Sequence, residues 1–278
     1  MAHRTLVLVA LALAAHLDAI PRSLPRGALP RRQDTSTKII GGHEAAEGQL
    51  PYQSRVGELP GEGVGEVGST SVAAWSSHRT LCVTAAHCVE GGDPTSPSGL
   101  RVVAGGLDLG TLEASEQVGE INFIIEHPFY SPITFENDIA LLRLETPLLY
   151  TESVGQLELP QPQQNFTGEV CRVSGWGQTS EGGTLSSILL YTDLPVLSDE
   201  MCEESYVQDE LFPSMLCVGG AAAAGVGSCH GDSGGPLACG SVLTGLVSWG
   251  YGCARPEYPG VYTEVSYFVD WIASHTRR

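Results

Sequence analysis

Short apolar runs, broken by glycine and proline, recur along the chain from about residue 40 onward. Their length and their content of β-branched residues predict β-strands. The predicted strands are Leu100–Ala104, Val118–Glu126, Ile139–Leu144, Glu169–Ser174, Leu243–Trp249 and Gly260–Val265. Strands at this spacing predict an all-β barrel or sandwich.

A helical pattern lies at the C-terminal end of the chain. Phe268, Val269 and Ile272 fall on one side of a helix. Ser266 precedes them as a candidate N-cap. The weakly patterned, proline-containing segment 146–164 is suited to link two halves of the β region. We therefore expect two β units followed by a C-terminal α-helix.

The chain begins with the pattern of a secretory signal peptide. Arg4 supplies a positive start, and residues 6–15 form an apolar run too short to span a bilayer. We expect a signal peptide over residues 1–19. Three small residues offer alternative cleavage points, namely Ala14, Ala15 and Ala19. Residues 20–38, rich in proline and arginine, are expected to form an exposed activation propeptide.

Charge and cysteine content narrow the class of protein. The chain carries 14 basic and 32 acidic residues, for a net charge of −18. This balance argues against nucleic acid or a membrane surface as a partner. Eight cysteines in a secreted chain predict disulfides. Asn165 begins an Asn-Phe-Thr sequon and is a candidate glycosylation site. Together with the signal peptide and the cysteines, the sequon leads us to expect a soluble, extracellular protein.

Two distant motifs suggest nucleophilic chemistry. Ser233 lies in Gly-Asp-Ser-Gly-Gly-Pro, and His87 lies in Thr-Ala-Ala-His-Cys. A serine hydroxyl is a weak nucleophile at neutral pH, so it needs a base for its proton and donors for the oxyanion that forms. His87 can be that base if the fold brings it to Ser233. Since the sequence has no His-Glu-x-x-His or paired Cys-x-x-Cys motif, we assign no metal ligands.

Together with four other segments, these motifs resemble the chymotrypsin/trypsin family of serine endopeptidases over residues 39–278. The matching segments are Ile39–Gly42, Thr84–Cys88, Asn137–Leu142, Ser174–Gly177, Gly231–Pro236 and Ser248–Gly250. Residues 247–265 resemble digestive trypsin-like enzymes of arthropods in particular. The resemblance implies a trypsin-like, all-β fold of two antiparallel six-stranded β-barrels, about 39–155 and about 156–278, with a C-terminal α-helix.

The resemblance also implies a catalytic triad of His87, Asp138 and Ser233. Ser233 attacks the peptide carbonyl, His87 takes and returns the proton, and Asp138 holds the imidazole. The backbone N–H groups of Gly231 and Ser233 form the oxyanion hole. Ser248 supports Asp138, and the backbone beside it pairs with an extended substrate.

A zymogen follows from the same resemblance. Lys38 is the only lysine of the chain and immediately precedes Ile39. Cleavage after Lys38 frees the Ile39 amine, which pairs with the Asp232 carboxylate and orders the oxyanion loop. A separate trypsin-like protease is expected to make this cut.

The primary specificity pocket departs from that of trypsins. Trypsins carry an aspartate six residues before the nucleophile, where this chain has Gly227. The other substrate-binding residues implied are Ser228, Ser248, Trp249, Gly250 and Gly260. A pocket without a basal charge predicts a large apolar residue before the scissile bond, because a buried Lys or Arg lacks a partner. The alternative is Arg/Lys specificity restored by another acid or by the negative surface.

The cysteine pattern also departs from the family. The disulfides implied by analogy are Cys171–Cys239, Cys202–Cys217 and Cys229–Cys253. In the family, the cysteine that matches Cys88 pairs with a cysteine about 16 residues upstream. In this chain that position lies near Val72, where there is no cysteine. Cys82 is an additional cysteine on a predicted strand. We expect Cys82 and Cys88 to remain buried thiols.

A calcium site is left open by the sequence. Residues 105–117 resemble the family's calcium loop, in which Glu113 and Glu116 match ligand positions. Gly106 stands where another glutamate ligand is usual. The alternatives are a structural calcium ion and a solvated acidic loop, and no other cofactor is expected.

These features predict a secreted digestive endopeptidase that acts as a monomer on protein and peptide substrates. Its further expected partners are an activating trypsin-like protease and protein protease inhibitors. The alternative from another class is a catalytically inert homologue that binds partners. The presence of Ser233 favours the enzyme.

Overall fold

The computed structural model describes residues 39–57, 68–72, 81–95, 97 and 100–276. The expected signal peptide, the propeptide and Lys38 lie outside these residues. All six strands predicted from the apolar runs are present, with bounds that shift by no more than one residue. The apolar pattern of the sequence therefore indicates which segments are half or fully buried.

Six antiparallel strands close into a barrel in the order β2-β3-β4-β7-β6-β5. They are β2 (Gln53–Gly57), β3 (Gly68–Val72), β4 (Leu81–Thr84), β5 (Arg101–Ala104), β6 (Gln117–Glu126) and β7 (Ala140–Leu144). Val56, Val102, Ile124 and Leu142 pack in its interior. Because the barrel is closed, each of these six strands pairs with a neighbour on both sides.

The remaining seven strands form a second antiparallel sheet in the order β1-β9-β8-β11-β12-β13-β10. They are β1 (His43–Glu44), β8 (Val170–Gly175), β9 (Leu190–Pro195), β10 (Met215–Val218), β11 (Pro236–Cys239), β12 (Val242–Trp249) and β13 (Gly260–Glu264). The expected second six-stranded barrel is not confirmed, because this sheet does not close into a continuous barrel and β1 adds a seventh strand beside β9. A single bridge between Val196 and Val218 connects the β9 and β10 ends of this sheet.

Two α-helices complete the described chain. Helix α1 (Asp199–Ser205) begins after Ser198, whose side chain accepts a hydrogen bond from the Met201 N–H. Helix α2 (Val269–Thr276) follows a 3₁₀ turn over Val265–Phe268. The expected N-cap at Ser266 is wrong: Ser266 lies inside the 3₁₀ turn, and its hydroxyl donates to the Glu264 carboxylate. Within the described residues, neither helix has the length and apolar character needed to cross a membrane.

The barrel and the second sheet share one apolar core. Val83 and Leu141 of the barrel belong to the same cluster of buried side chains as Leu243 and Leu246 of the second sheet. Phe268, beside α2, packs into this cluster as the helical pattern predicts. This common core fixes the end of β4, which leads to His87, relative to the segment before β11, which carries Ser233.

Candidate active site

His87 and Asp138 contact one another through two hydrogen bonds. His87 lies in a 3₁₀ turn (Ala86–Cys88) directly after β4, and Asp138 lies just before β7, the neighbour of β4. The His87 backbone N–H donates to Asp138 Oδ1 at 2.9 Å, and the ring Nδ1 lies 2.7 Å from Oδ2. The imidazole is 20% exposed, whereas the carboxylate is fully buried. The pair therefore leaves the other ring nitrogen, Nε2, free of the carboxylate.

Two residues of the second sheet hold Asp138 in place. The Ser248 hydroxyl donates to Asp138 Oδ2 at 2.6 Å, and the Thr263 hydroxyl donates to the Asp138 backbone carbonyl at 2.6 Å. Burial lowers the pKa of His87, but the bond to Asp138 and the contact with Cys88 outweigh it, so the His87 pKa is raised overall. This arrangement strengthens His87 as a proton acceptor at Nε2.

Ser233 and His87 line the same cavity, which has a volume of about 240 Å³. The turn that carries Ser233 is closed by the Gly235 N–H, which donates to the Asp232 carbonyl at 2.9 Å. Within the described part of the chain, the backbone N–H groups of Gly231 and Ser233 have no hydrogen-bond acceptor. Gly231 has φ of +92°, and a Cβ there would lie 2.5 Å from Leu185 Cδ2. Two neighbouring donors beside a serine hydroxyl can stabilise an oxyanion.

Asp232 is buried completely behind the nucleophile loop. Its carboxylate accepts hydrogen bonds from the backbone N–H groups of Gly177 at 2.8 Å and Cys229 at 2.9 Å. No cation among the described residues forms an ion pair with it. Burial raises the pKa of Asp232 to about 6, and the two backbone hydrogen bonds only partly oppose this. Within the described chain the carboxyl therefore has no counter-charge.

The segment after Lys38 packs against the specificity region. Ile39 is fully buried and has φ of 38°, which is unusual for a β-branched residue. The Gly227 N–H donates to the Ile40 carbonyl at 3.0 Å. The residues that follow the expected cleavage point are thus already within the fold, next to the segment that leads to Asp232.

Every substrate-binding residue expected from the sequence lines the cavity. These residues are Gly227, Ser228, Ser248, Trp249, Gly250 and Gly260. The Ser228 hydroxyl pairs with the Tyr262 hydroxyl at 2.9 Å. No aspartate or glutamate is among the described residues that line this cavity, whereas His230 and Arg255 are. The described lining of this cavity thus carries no carboxylate.

Sequence reasoning missed three residues around the cavity. The Phe135 ring packs edge-on to His87, with 5.7 Å between ring centroids. Arg255 forms an exposed, two-point ion pair with Glu181, whose carboxylate also accepts from the Cys253 N–H. Glu181 and Arg255 lie 74 positions apart, so neither periodicity nor a local motif could have joined them.

The three disulfides expected by analogy are present, and two thiols remain free. The bonded pairs are Cys171–Cys239, Cys202–Cys217 and Cys229–Cys253. Cys82 is fully buried, and burial raises the pKa of its thiol to about 12. The expectation that both thiols are buried is wrong for Cys88, which is partly exposed. Its Sγ lies 3.6 Å from His87 Nε2, because it directly follows His87 in the same turn.

A protein cation from β2 contacts the loop that resembles a calcium site. Arg55 Nη1 lies 3.1 Å from Glu116 Oε1, and the Glu116 side chain is only 3% exposed. A Cβ on Gly106 would lie 2.3 Å from the same oxygen, so the missing side chain makes room for Glu116. The Glu113 carboxylate accepts a hydrogen bond from the Leu107 N–H. Both glutamates therefore contact protein donors at this loop.

Two further candidate positions lie in the described part of the chain. Asn165 is exposed, and its Oδ1 accepts from the Thr167 N–H at 2.7 Å, so the sequon lies in an accessible turn. Within the described residues, one group of three potential metal ligands lies close together, namely Glu169, Cys171 and Cys239. Its two cysteines are bonded to each other and cannot act as thiolate ligands.

Comparison with known proteins gives consistent matches. The family model described as Trypsin matches residues 39–272. Trypsin-1 of Astacus astacus is 44% identical over 243 residues, covering 85% of this chain and 99% of the relative. Cationic trypsin-3 of Rattus norvegicus is 38% identical, covering 86% of this chain and 90% of the relative. Trypsin of Sus scrofa is 37% identical, covering 86% of this chain and 96% of the relative.

Proposed function

Because the chain belongs to the trypsin family and is a serine endopeptidase, we propose that Ser233, His87 and Asp138 perform its chemistry. The observation that supports this most strongly is the double hydrogen bond between His87 and Asp138, on the wall of the cavity that Ser233 also lines. Nδ1 is committed to the carboxylate, so Nε2 is left to act on the serine proton.

The reaction proceeds in two halves. Ser233 Oγ attacks the peptide carbonyl while His87 Nε2 takes its proton, and His87 then protonates the leaving amine. Water then hydrolyses the acyl-enzyme: His87 takes a proton from the attacking water and gives a proton back to Ser233 Oγ. Asp138 keeps the imidazole in the correct tautomer and stabilises its charged form, and Ser248 holds Asp138.

The N–H groups of Gly231 and Ser233 stabilise the oxyanion in both halves. Their lack of an acceptor among the described residues supports this assignment. Each such donor contributes about 10²–10³-fold to kcat in enzymes of this kind. The backbone of Ser248 and Gly250, at the end of β12, binds the extended substrate.

The protein is made as a zymogen. Cleavage after Lys38 releases the Ile39 amine, whose positive charge pairs with Asp232. The absence of a cation beside Asp232 within the described chain, and the raised pKa of its carboxyl, support this step. Pairing stabilises the charged carboxylate and orders the adjacent oxyanion loop.

Primary specificity is for large apolar residues. The acid-free lining around Gly227 supports this, because a Lys or Arg side chain would lose hydration without gaining a partner. The competing assignment is Arg/Lys specificity, and the names of the relatives, all trypsins, favour it. Comparison of the two substrate classes separates these candidates.

The biological setting proposed is secretion with a digestive role, as a monomer, after activation by a trypsin-like protease. Protein inhibitors that present an extended loop are expected to bind the same cleft. Asn165 is a glycosylation site, since Asn165 and Thr167 of its sequon are exposed. We also propose that no calcium ion is needed, because Arg55 supplies positive charge to Glu116.

Activity after controlled cleavage tests this proposal. The purified secreted chain is cut with trypsin, freed of it, and assayed with peptide p-nitroanilides, and the new N-terminus is sequenced. We expect hydrolysis only when the new terminus is Ile39. Ser233→Ala and His87→Ala, cut in the same way, should lose activity by about 10⁶-fold. An uncut chain with full activity contradicts the zymogen, and an inactive cut chain favours the inert binding protein.

A further inference from the structure

Cys88 places a free thiol against the ring nitrogen that the proposed chemistry uses. Its Sγ lies 3.6 Å from His87 Nε2. Cys88 is partly exposed and belongs to no disulfide. Val72 lies upstream where a partner for Cys88 is expected, and in the barrel Val72 is paired with Cys82. Cys88 therefore has no cysteine to bond, and its sulfur remains available for other chemistry.

The separation of the two atoms matches that of two ligands on one metal ion. Zinc binds thiolate sulfur at about 2.3 Å and imidazole nitrogen at about 2.0–2.1 Å in tetrahedral geometry, which puts the two ligand atoms about 3.5 Å apart. The observed 3.6 Å between Sγ and Nε2 allows one ion to contact both atoms without a change of backbone.

The second nitrogen of the ring is arranged as in metal-bound histidines. A histidine that binds a metal through one nitrogen usually donates its other N–H to a carboxylate, which fixes the ring and leaves the metal-binding nitrogen unprotonated. His87 Nδ1 lies 2.7 Å from the buried Asp138 carboxylate. This contact is independent of Cys88, and it orients Nε2 as a ligand.

We propose that Cys88 Sγ and His87 Nε2 form a binding site for a thiophilic divalent cation of the zinc and cadmium class. A sulfur and an imidazole ligand select such cations over calcium and magnesium, which prefer oxygen. Water fills the other coordination positions from the cavity that His87 lines. Binding itself rests on the contact between Cys88 and His87.

Inhibition is the consequence for the enzyme, and this part rests on the proposed function. An ion bound to Nε2 occupies the lone pair that takes the Ser233 proton. The bound enzyme is therefore unable to acylate, while its substrate pocket around Gly227 is unchanged. Removal of the ion by a chelator restores the base and the activity.

Cadmium binding tests the site without any catalytic readout. The full chain carrying Ser233→Ala is titrated with Cd²⁺, and the thiolate-to-cadmium charge-transfer absorption is recorded. Cys88→Ser should abolish this band. The matched control Cys82→Ser removes the other free thiol, which is fully buried, and should retain the band. A band that survives Cys88→Ser, or no band in the parent, overturns the proposal.

Alkylation gives a second readout that needs no variant. Iodoacetamide labelling of the folded chain, mapped by mass spectrometry, should modify Cys88. Saturating zinc should largely suppress that modification, because a thiolate bound to the ion is not free to attack iodoacetamide. Labelling of Cys88 at the same rate with and without zinc contradicts the site.

Zinc inhibition of the activated enzyme tests the consequence. Each form is compared with its own rate in the presence of a chelator. The zinc concentration for half inhibition should rise at least about tenfold in Cys88→Ser and stay at the parent value in Cys82→Ser. Equal sensitivity of Cys88→Ser and parent overturns the inhibitory inference. A cadmium band in a chain that never hydrolyses peptides supports the site and contradicts the proposed function instead.

Discussion

The Ser248 hydroxyl donates a 2.6 Å hydrogen bond to Oδ2 of Asp138, the same oxygen that lies 2.7 Å from His87 Nδ1. The other carboxylate oxygen accepts from the His87 backbone. Asp138 is thus fixed at both oxygens, and its orientation depends on β12 as well as on the turn after β4. We therefore expect Ser248 to position Asp138, and through it His87.

Ser248→Ala should lower kcat about tenfold with little change in KM. A hydrogen bond to a charged group contributes about 1.5–3 kcal/mol, and part of this is lost when the carboxylate becomes free to turn. Steady-state kinetics on a peptide anilide provides the measurement. Ser266→Ala is the matched control, since it removes a buried hydroxyl that bonds Glu264, and it should retain parental kcat. Equal kcat for both variants contradicts the role of Ser248.

Gly227→Asp should convert the enzyme toward Arg and Lys substrates. A Cβ at Gly227 would meet only ordinary contacts with Ala254, at 3.4–3.6 Å, so the backbone there accepts a side chain without a clash at Cβ. The ratio of kcat/KM for Arg to that for Phe should rise by about 10²-fold or more, because the buried cation gains a partner. Gly227→Asn is the neutral control of similar size. If the parent already prefers Arg, the apolar specificity is wrong.

Asp232→Asn should remove a pH dependence from the stability of the uncut chain. Burial raises the Asp232 pKa to about 6, whereas the unfolded value is about 3.9. The stability from the protonated carboxyl is therefore present below about pH 4 and is lost as the pH rises through 6. The free energy of unfolding is measured with urea in a Ser233→Ala background. From pH 4 to pH 7, the difference between variant and parent should change by about 3 kcal/mol in favour of the variant. A constant difference across this range contradicts the unpaired carboxyl.

Arg55→Gln should destabilise the protein by about 3 kcal/mol, because it leaves the buried Glu116 carboxylate without its cation. Adding Glu116→Gln should restore much of the loss. Urea unfolding of the single and double variants measures the coupling. Excess calcium should leave the parent unchanged. Stabilisation of the parent by calcium argues against Arg55 as the cation of this loop.

Strands and catalytic motifs could be predicted from the sequence because each depends on local information. The strand over Leu243–Trp249 is one mostly apolar run, and the residues of the motif around Ser233 are contiguous in the sequence. The sequence did not predict the seventh strand of the second sheet. His43–Glu44 consists of two polar residues, and their pairing with β9 depends on residues that lie far away in the sequence. The ion pair of Arg55 with Glu116 spans 61 positions and left no local signal. Ser266 was misassigned because its side chain bonds Glu264 rather than a helical N–H.

Covalent labelling tests the central claim most directly. The chain cut after Lys38 is treated with a serine-directed phosphonate, digested and mapped by mass spectrometry. The account predicts one adduct, on Ser233, which forms on the cut chain, is strongly reduced in His87→Ala and is absent in Ser233→Ala. Failure of the correctly cut chain to form an adduct, or an adduct on another serine, contradicts Ser233 as the nucleophile.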